Sequence, residues 1–155
     1  MIERIVEAAR LAPSACNSQP WRFAVVTGIS LRRRLADKGM LPGLGMKWLA
    51  DVPVFLVLGT EKSLVTHKLA PRISGVDYAT MDLGIAGEHA VLQAVELGLG
   101  TCWIGWIRSG EIRRIVGWPR TVVPQAVIAV GWPADSCREP APKNRLSADD
   151  ITKWL

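Results

Sequence analysis

Ala12-Pro13-Ser14-Ala15-Cys16-Asn17-Ser18-Gln19-Pro20-Trp21-Arg22-Phe23 joins a helical pattern to a strand pattern. Ile2, Ile5, Val6 and Ala9 recur at helical spacing, so residues 2–12 read as an amphipathic helix. Proline biases the residue before it away from helical backbone, so Pro13 closes that helix. Ser14, Asn17, Ser18 and Gln19 then place hydroxyls and amides on a loop with little else to bond. Pro20 and Trp21 stiffen its exit into a short strand, Phe23–Thr27, that ends at Gly28. Pro, Ser and Asn favour turns by themselves, so a plain turn and a binding loop are both open at this point.

Outward from this loop, Ser30 is placed to cap a helix running to Lys38. It carries Arg32-Arg33-Arg34, whose consecutive positions fan around the helix and make no single anion cradle. Gly39, Pro42, Gly43 and Gly45 predict a loop that moves. Val52–Leu58 is an apolar run of strand length, as in a strand covered on both faces. Residues 59–76 carry no clear pattern. Asp77 to Leu97 is the longest helical pattern and is rich in Ala and Gly, with Gly84 and Gly87 in its interior. Each glycine costs a helix about 1 kcal/mol against alanine, so close approach of another backbone is expected to offset them.

Gly98 and Gly100 end that helix, and Thr101–Ile107 reads as a strand. Ser109 is expected to cap a helix through Val116, with Gly117 as its stop. Val122–Val130 is a strand closed by Gly131-Trp132-Pro133, and a loop with Pro140 and Pro142 follows. Ser147 opens a last helix, with Asp149 and Asp150 in its first turn, where the helix dipole favours acids. Intermixed helices and strands predict an α/β or α+β class.

The 155 residues suffice for one domain spanning 1–155, and 49% hydrophobic content argues against disorder. Apolar runs of about ten residues or fewer are too short to span a bilayer, so no membrane partner is expected. A basic-then-apolar leader is not seen, which predicts the cytoplasm. Cys16, Cys102 and Cys137 are odd in number and form no Cys-x-x-Cys pair, which suggests neither a disulfide framework nor a zinc site. The net charge of +5 suits a phosphorylated cofactor or a solvated surface, and the arginine fan argues against nucleic acid. His67 and His89 lack partners at metal-ligand spacing. Cys102 is expected to be a buried small hydrophobe. Ser14 and Ser109 lack a Gly-x-Ser-x-Gly setting. No catalytic side chain and no metal are therefore predicted.

Three further segments can carry chemistry. In Glu96-Leu97-Gly98-Leu99-Gly100-Thr101-Cys102-Trp103-Ile104-Gly105-Trp106, Gly105 interrupts a strand, often a mark of a ligand approaching backbone. In Lys143-Asn144-Arg145-Leu146, cations at i and i+2 of an extended segment point the same way and can hold a phosphate. Lys47-Trp48-Leu49-Ala50-Asp51 precedes the strand at Val52.

In this order the segments resemble the flavin-dependent nitroreductase family, whose helix-to-strand loop is written Pro-Ser-x-x-Asn-x-Gln-Pro-Trp. The resemblance brackets residues 12 to 146. It implies an α+β fold with a central, mainly antiparallel sheet flanked by helices, and an intertwined homodimer with FMN at the subunit interface. Pro13, Ser14, Ala15, Asn17 and Gln19 would then bind FMN, the loop reaching the flavin of the other subunit. Main-chain groups of Trp103, Ile104, Gly105 and Trp106 would face the ring's N5–O4 edge. Lys47 would lie near N1–O2, and Lys143 and Arg145 would hold the phosphate.

The implied activity is oxidoreduction in two half-reactions. Hydride passes from NAD(P)H to flavin N5, and a nitroaromatic, quinone or similar small acceptor then takes the electrons. Positioning within about 3–3.5 Å supplies most of such catalysis, and the flavin carries the chemistry. Family members usually open on an Arg-Arg-Ser-x-Arg arm that grips FMN; Met1-Ile2-Glu3-Arg4 carries no such arm. Losing two charged hydrogen bonds would weaken FMN by about a hundred- to ten-thousandfold unless Arg10, Arg22 or Arg72 substitutes. Hence the alternative is a non-catalytic dimeric flavin binder of the same fold with weak or no FMN.

Overall fold

Two strands with unbroken apolar runs form the centre of the molecule. The computed structural model describes residues 1–43, 46–61, 73–134 and 143–155. Its elements are α1 (Ile2–Arg10), β1 (Trp21–Val26), α2 (Ile29–Lys38), β2 (Val54–Glu61), α3 (Tyr78–Glu96), β3 (Gly100–Ile104), α4 (Ser109–Val116), β4 (Val122–Gly131) and α5 (Ala148–Ile151). The strands pair in the order β1-β2-β4-β3, every pair antiparallel. β1 and β3 are therefore the two edges.

Side chains alternate across a strand, and here both faces of the central pair are covered. Leu56, Leu58, Ile128 and Val130 face α1 and α3, packing on Ile5, Ala9, Leu83, Ala86 and Ala90. Phe55, Val57, Val127 and Ala129 face α2, α4 and a 3₁₀ turn at Lys47–Asp51, packing on Leu35, Leu49 and Ile112. The apolar run expected at Val52–Leu58 is this doubly covered strand, set two residues later.

Several expected boundaries shift for identifiable reasons. Gly28, not Ser30, is the N-cap of α2. Arg32 is more than a solvated cation: its Nε donates to the Thr27 carbonyl at 2.8 Å and its Nη1 to that of Val52 at 2.6 Å. Ser109 lies inside α4, and its hydroxyl donates to the Pro124 carbonyl at 2.8 Å instead of capping. β3 stops at Ile104, three residues early, because the chain turns: the Ile107 amide donates to the Gly105 carbonyl. Gly117, at φ 71°, ends α4 as expected, and Ser147 with Asp150 forms a capping box on α5.

The loop expected to move is tied down where it is described. The Leu41 amide donates to the Trp106 carbonyl, Arg108 donates to Gly39, and the Trp106 indole donates to the Pro42 carbonyl at 2.9 Å. Gly45, His67, Arg72, Cys137 and the Pro140–Pro142 loop lie outside the described residues.

Candidate active site

Pro13 to Gln19 forms a 3₁₀ turn over Ala15–Asn17 in which three non-glycine residues adopt left-handed backbone: Cys16 at φ 52°, Asn17 at 50° and Gln19 at 46°. Such residues are uncommon and cluster where a loop must hold a set shape. The loop is closed from within. The Ser14 hydroxyl oxygen accepts from the Gln19 amide at 3.0 Å, and Gln19 Nε2 donates to the Asn17 carbonyl and to Asn17 Oδ1. Those bonds leave the Ser14 O–H, the Asn17 side-chain NH₂ and the Gln19 side-chain carbonyl uncommitted among the described residues. The loop thus offers two donors and an acceptor side by side.

The second segment lies at the end of β3. Trp103 stands on the α3 face of the sheet, half-exposed, with its indole resting against Gly87. Ile104 is buried in the opposite layer. Gly105 is exposed, with no atom within 4 Å of where a Cβ would stand. Among the described residues, neither the Gly105 nor the Trp106 amide donates to a backbone carbonyl. Open space and free amides make this a stretch of main chain that a flat polar ring can approach.

Sheet order fixes how these segments relate. Trp21 pairs with Thr60 and Glu61 with Val122, while β3 ends at Ile104 opposite Val127. The 13–19 loop and Gly105 therefore sit toward the same end of the sheet, but on opposite edges. Three inter-strand spacings, about 14 Å, separate those edges. Both segments touch α3, through Asp82 and through Gly87. Five residues of helix set these points about 7.5 Å apart along the axis.

The remaining candidates lie on other segments of the chain. Lys47 is exposed at the start of its 3₁₀ turn. Lys143 and Arg145 are exposed, and Arg145 Nη1 donates to the Asn144 carbonyl at 3.1 Å. Of the suggested substitutes for arm cations, Arg10 is engaged away from the loop, while Arg22 Nη1 donates to the Gln19 carbonyl at 3.3 Å and to the Trp21 carbonyl at 2.7 Å. Arg10 pairs with Glu7, and Arg22 pairs with Glu61 at 2.7 Å. The Thr121 hydroxyl, and after it Arg22, hold the Glu61 carboxyl below its ordinary 4.5.

Cys102 is exposed rather than buried, because β3 is an edge strand; it lines a cavity of about 650 Å³ with Trp48, Pro53 and Trp132. His89 Nδ1 donates to the Ile85 carbonyl at 2.9 Å and is a bonded helix histidine. No group of three metal-ligating side chains occurs among the described residues, and no helix there is long and apolar enough to cross a membrane. Sequence reasoning missed Asp82 and the occupant of Gly87. The available signal was a carboxylate within the Ala79–Leu83–Ala86 stripe, which α3 buries.

The profile of the Nitroreductase family matches residues 1–40 and 41–132. An NADH dehydrogenase of Thermus thermophilus is 27% identical over 99% of this chain and 84% of its own length. An FMN reductase (NAD(P)H) of Bacillus subtilis is 29% identical over 90% of this chain and 59% of its own. The crystal structure of a nitroreductase family protein from Streptococcus pneumoniae shares the fold with a TM-score of 0.81 at 23% identity, covering 99% of this chain and 88% of that one.

Proposed function

The chain belongs to the nitroreductase family, and from that premise we propose that it moves hydride from NAD(P)H to a small acceptor such as a nitroaromatic or quinone, at FMN sites shared between two copies. It is an NAD(P)H-dependent oxidoreductase, and FMN is its cofactor. The residues present fit FMN. Ser14 O–H and Asn17 NH₂ can donate to the carbonyl oxygens of a pyrimidine edge, and the Gln19 carbonyl can accept from its N–H. The free amides at Gly105 and Trp106 suit the N5–O4 edge, and Lys143 and Arg145 suit a phosphate. When bound, FMN supplies the hydride-accepting and hydride-donating centre.

The chain's own part is to bind and orient. Gly105 leaves main chain bare so that donors can lie close to the reacting edge. Pro13 and Ala15 set the loop's course, and the exposed indole of Trp103 offers a flat apolar wall. Lys47, an exposed cation, favours negative charge on whatever lies beside it. Hydride donor and acceptor enter the same place in turn, a ping-pong order.

The observation that carries the shared site is the separation of the two segments. One chain's loop and strand end lie on opposite edges of the sheet, an arrangement that supports completion of each site by two copies. The outer face of α3 supports the pairing: Met81, Leu92 and Val95 are exposed there, and Gly84 meets nothing within 4 Å. Exposed apolar side chains beside a bare glycine suit a subunit contact, with Glu88 the one charge among them.

The test is FMN titration by flavin fluorescence quenching, followed by addition of NADH or NADPH and measurement of molecular mass by sedimentation. One FMN per chain, bleaching of the yellow colour and a dimeric mass are expected. Absence of binding with excess FMN would remove the enzymatic assignment. The alternative, a dimeric flavin binder of the same fold with weak FMN, is favoured by one observation, the engagement of Arg10 and Arg22 with acids. It predicts weak binding without NAD(P)H oxidation.

A further inference from the structure

Asp82 lies in the second turn of α3 and is 2% exposed. A carboxylate in such a place has to be hydrogen-bonded or paired, since taking it out of water unpaired is costly. Among the described residues its partner is the Ala15 amide, which donates to Oδ1 at 3.1 Å and to Oδ2 at 3.2 Å.

Ala15 is the first residue of the loop's 3₁₀ turn. Ser14, in the N-cap position, makes no side-chain cap bond, because its hydroxyl oxygen accepts from Gln19. A serine there would ordinarily satisfy a first-turn amide. Asp82 does so instead, from another element 67 residues away in sequence. Behind this cap come Cys16, Asn17 and Gln19 in left-handed backbone. Residues in that region persist only where their surroundings hold them. Asp82 holds the loop at Ala15, and Ser14 and Arg22 hold it at Gln19, whose side chain also bonds Asn17.

We propose that Asp82 is a positioning residue for the flavin loop: its buried carboxylate fixes Ser14–Gln19 in the strained shape that presents the Ser14 hydroxyl and the Asn17 amide, so that FMN affinity depends on a side chain that touches no ligand. The inference rests on the FMN site proposed above. The chemistry asks for an acid. Both carboxyl oxygens accept, so the amide can point between them. An asparagine has a single acceptor oxygen and would turn an NH₂ toward the Ala15 N–H.

The experiment compares the full chain with Asp82→Asn and with Ala15→Pro. Proline fits the first position of a helical turn, and Ser14 already has the extended backbone (φ −143°, ψ 155°) that precedes proline. The second variant thus deletes the same bond from the donor side and remains informative if the first does not fold. Two quantities are read: the FMN dissociation constant, and hydrogen–deuterium exchange of peptides covering 13–21 and β2 in FMN-free protein.

Each variant is expected to weaken FMN by about 10- to 100-fold. Exchange should rise in 13–21 and stay unchanged in β2. The double variant should lose no more affinity than the worse single one, because both act through one bond. FMN affinity within twofold of the parent overturns the proposal, as does weaker FMN with unchanged exchange in 13–21. If the parent chain itself binds no FMN, the cofactor site fails, and loop exchange alone then judges whether Asp82 holds the loop.

Discussion

The indole of Trp103 occupies the space that a side chain at Gly87 would need. A Cβ built there collides with Cη2 and Cζ2 of the indole and comes within 2.9 Å of Leu58 Cδ2. The helical glycine is explained by an indole packed against α3, where a neighbouring backbone is expected from the sequence. Gly87→Ala would gain up to about 1 kcal/mol of helix propensity. Overpacking against rigid neighbours costs about 1–3 kcal/mol. A net loss of stability is expected in urea unfolding, with a shift in tryptophan emission as the indole is displaced.

Gly84 is the opposite case, with nothing within 4 Å of its missing Cβ. Alanine there should stabilise the single chain by up to about 1 kcal/mol. If a second copy packs on this face, the same methyl weakens self-association, seen as a raised dissociation constant by sedimentation. An unchanged dissociation constant would place the subunit contact elsewhere.

Ser14→Ala removes the acceptor of the Gln19 amide, beside a residue at φ 46°. A lost hydrogen bond of this kind costs about 1 kcal/mol of stability. On the proposed site it also deletes an FMN donor, so affinity should fall about tenfold. Fluorescence titration checks the second effect and thermal unfolding the first.

Lys143 and Arg145 are proposed to recognise phosphate. Replacing both with alanine should bring FMN affinity down to that of riboflavin, which lacks the phosphate, and leave riboflavin binding unchanged. The preference of the parent chain for FMN over riboflavin should also shrink as salt is raised. Equal losses for both ligands would mean that the segment shapes the site rather than pairing with phosphate.

Acid should expose the role of Glu61. Its carboxylate accepts from the Thr121 hydroxyl at 2.8 Å and pairs with Arg22, and its pKa is held below the ordinary 4.5. A depressed native pKa gives stability that is fully present above the unfolded value and lost as pH falls through the folded one. The melting-temperature gap between the parent and Glu61→Gln should therefore be constant near neutrality and close below pH 4.5. A gap that persists in strong acid would show that the carboxylate's charge is not what matters.

Much of the fold is legible because it is local. Ser147 three residues before Asp150, Gly117 after an amphipathic turn and the apolar run at Val54–Leu58 each signal their structure within a few residues. Contacts distant in sequence are not legible in that way. The Ala15–Asp82 bond spans 67 residues, and nothing near either residue announces it. Cys102 has the composition of a buried strand, yet whether a strand is central or at an edge depends on pairing order, which a lone segment does not encode. The 13–19 loop is legible as a motif, but its left-handed backbone at Cys16 and Gln19 runs against their local preference and is imposed by the rest of the fold.

The order β1-β2-β4-β3, which sends the loop to one edge and Gly105 to the other, has a genetic corollary. If two copies share each site as proposed, a chain crippled only in its loop and a chain crippled only at Gly105 carry damage in different halves of it. Mixed in one dimer, they bring the undamaged loop of one copy to the undamaged strand end of the other. That pair then has one sound site and one doubly broken site. Two alleles, each inactive alone, should therefore rescue one another when expressed together, whereas two lesions in the same half should not.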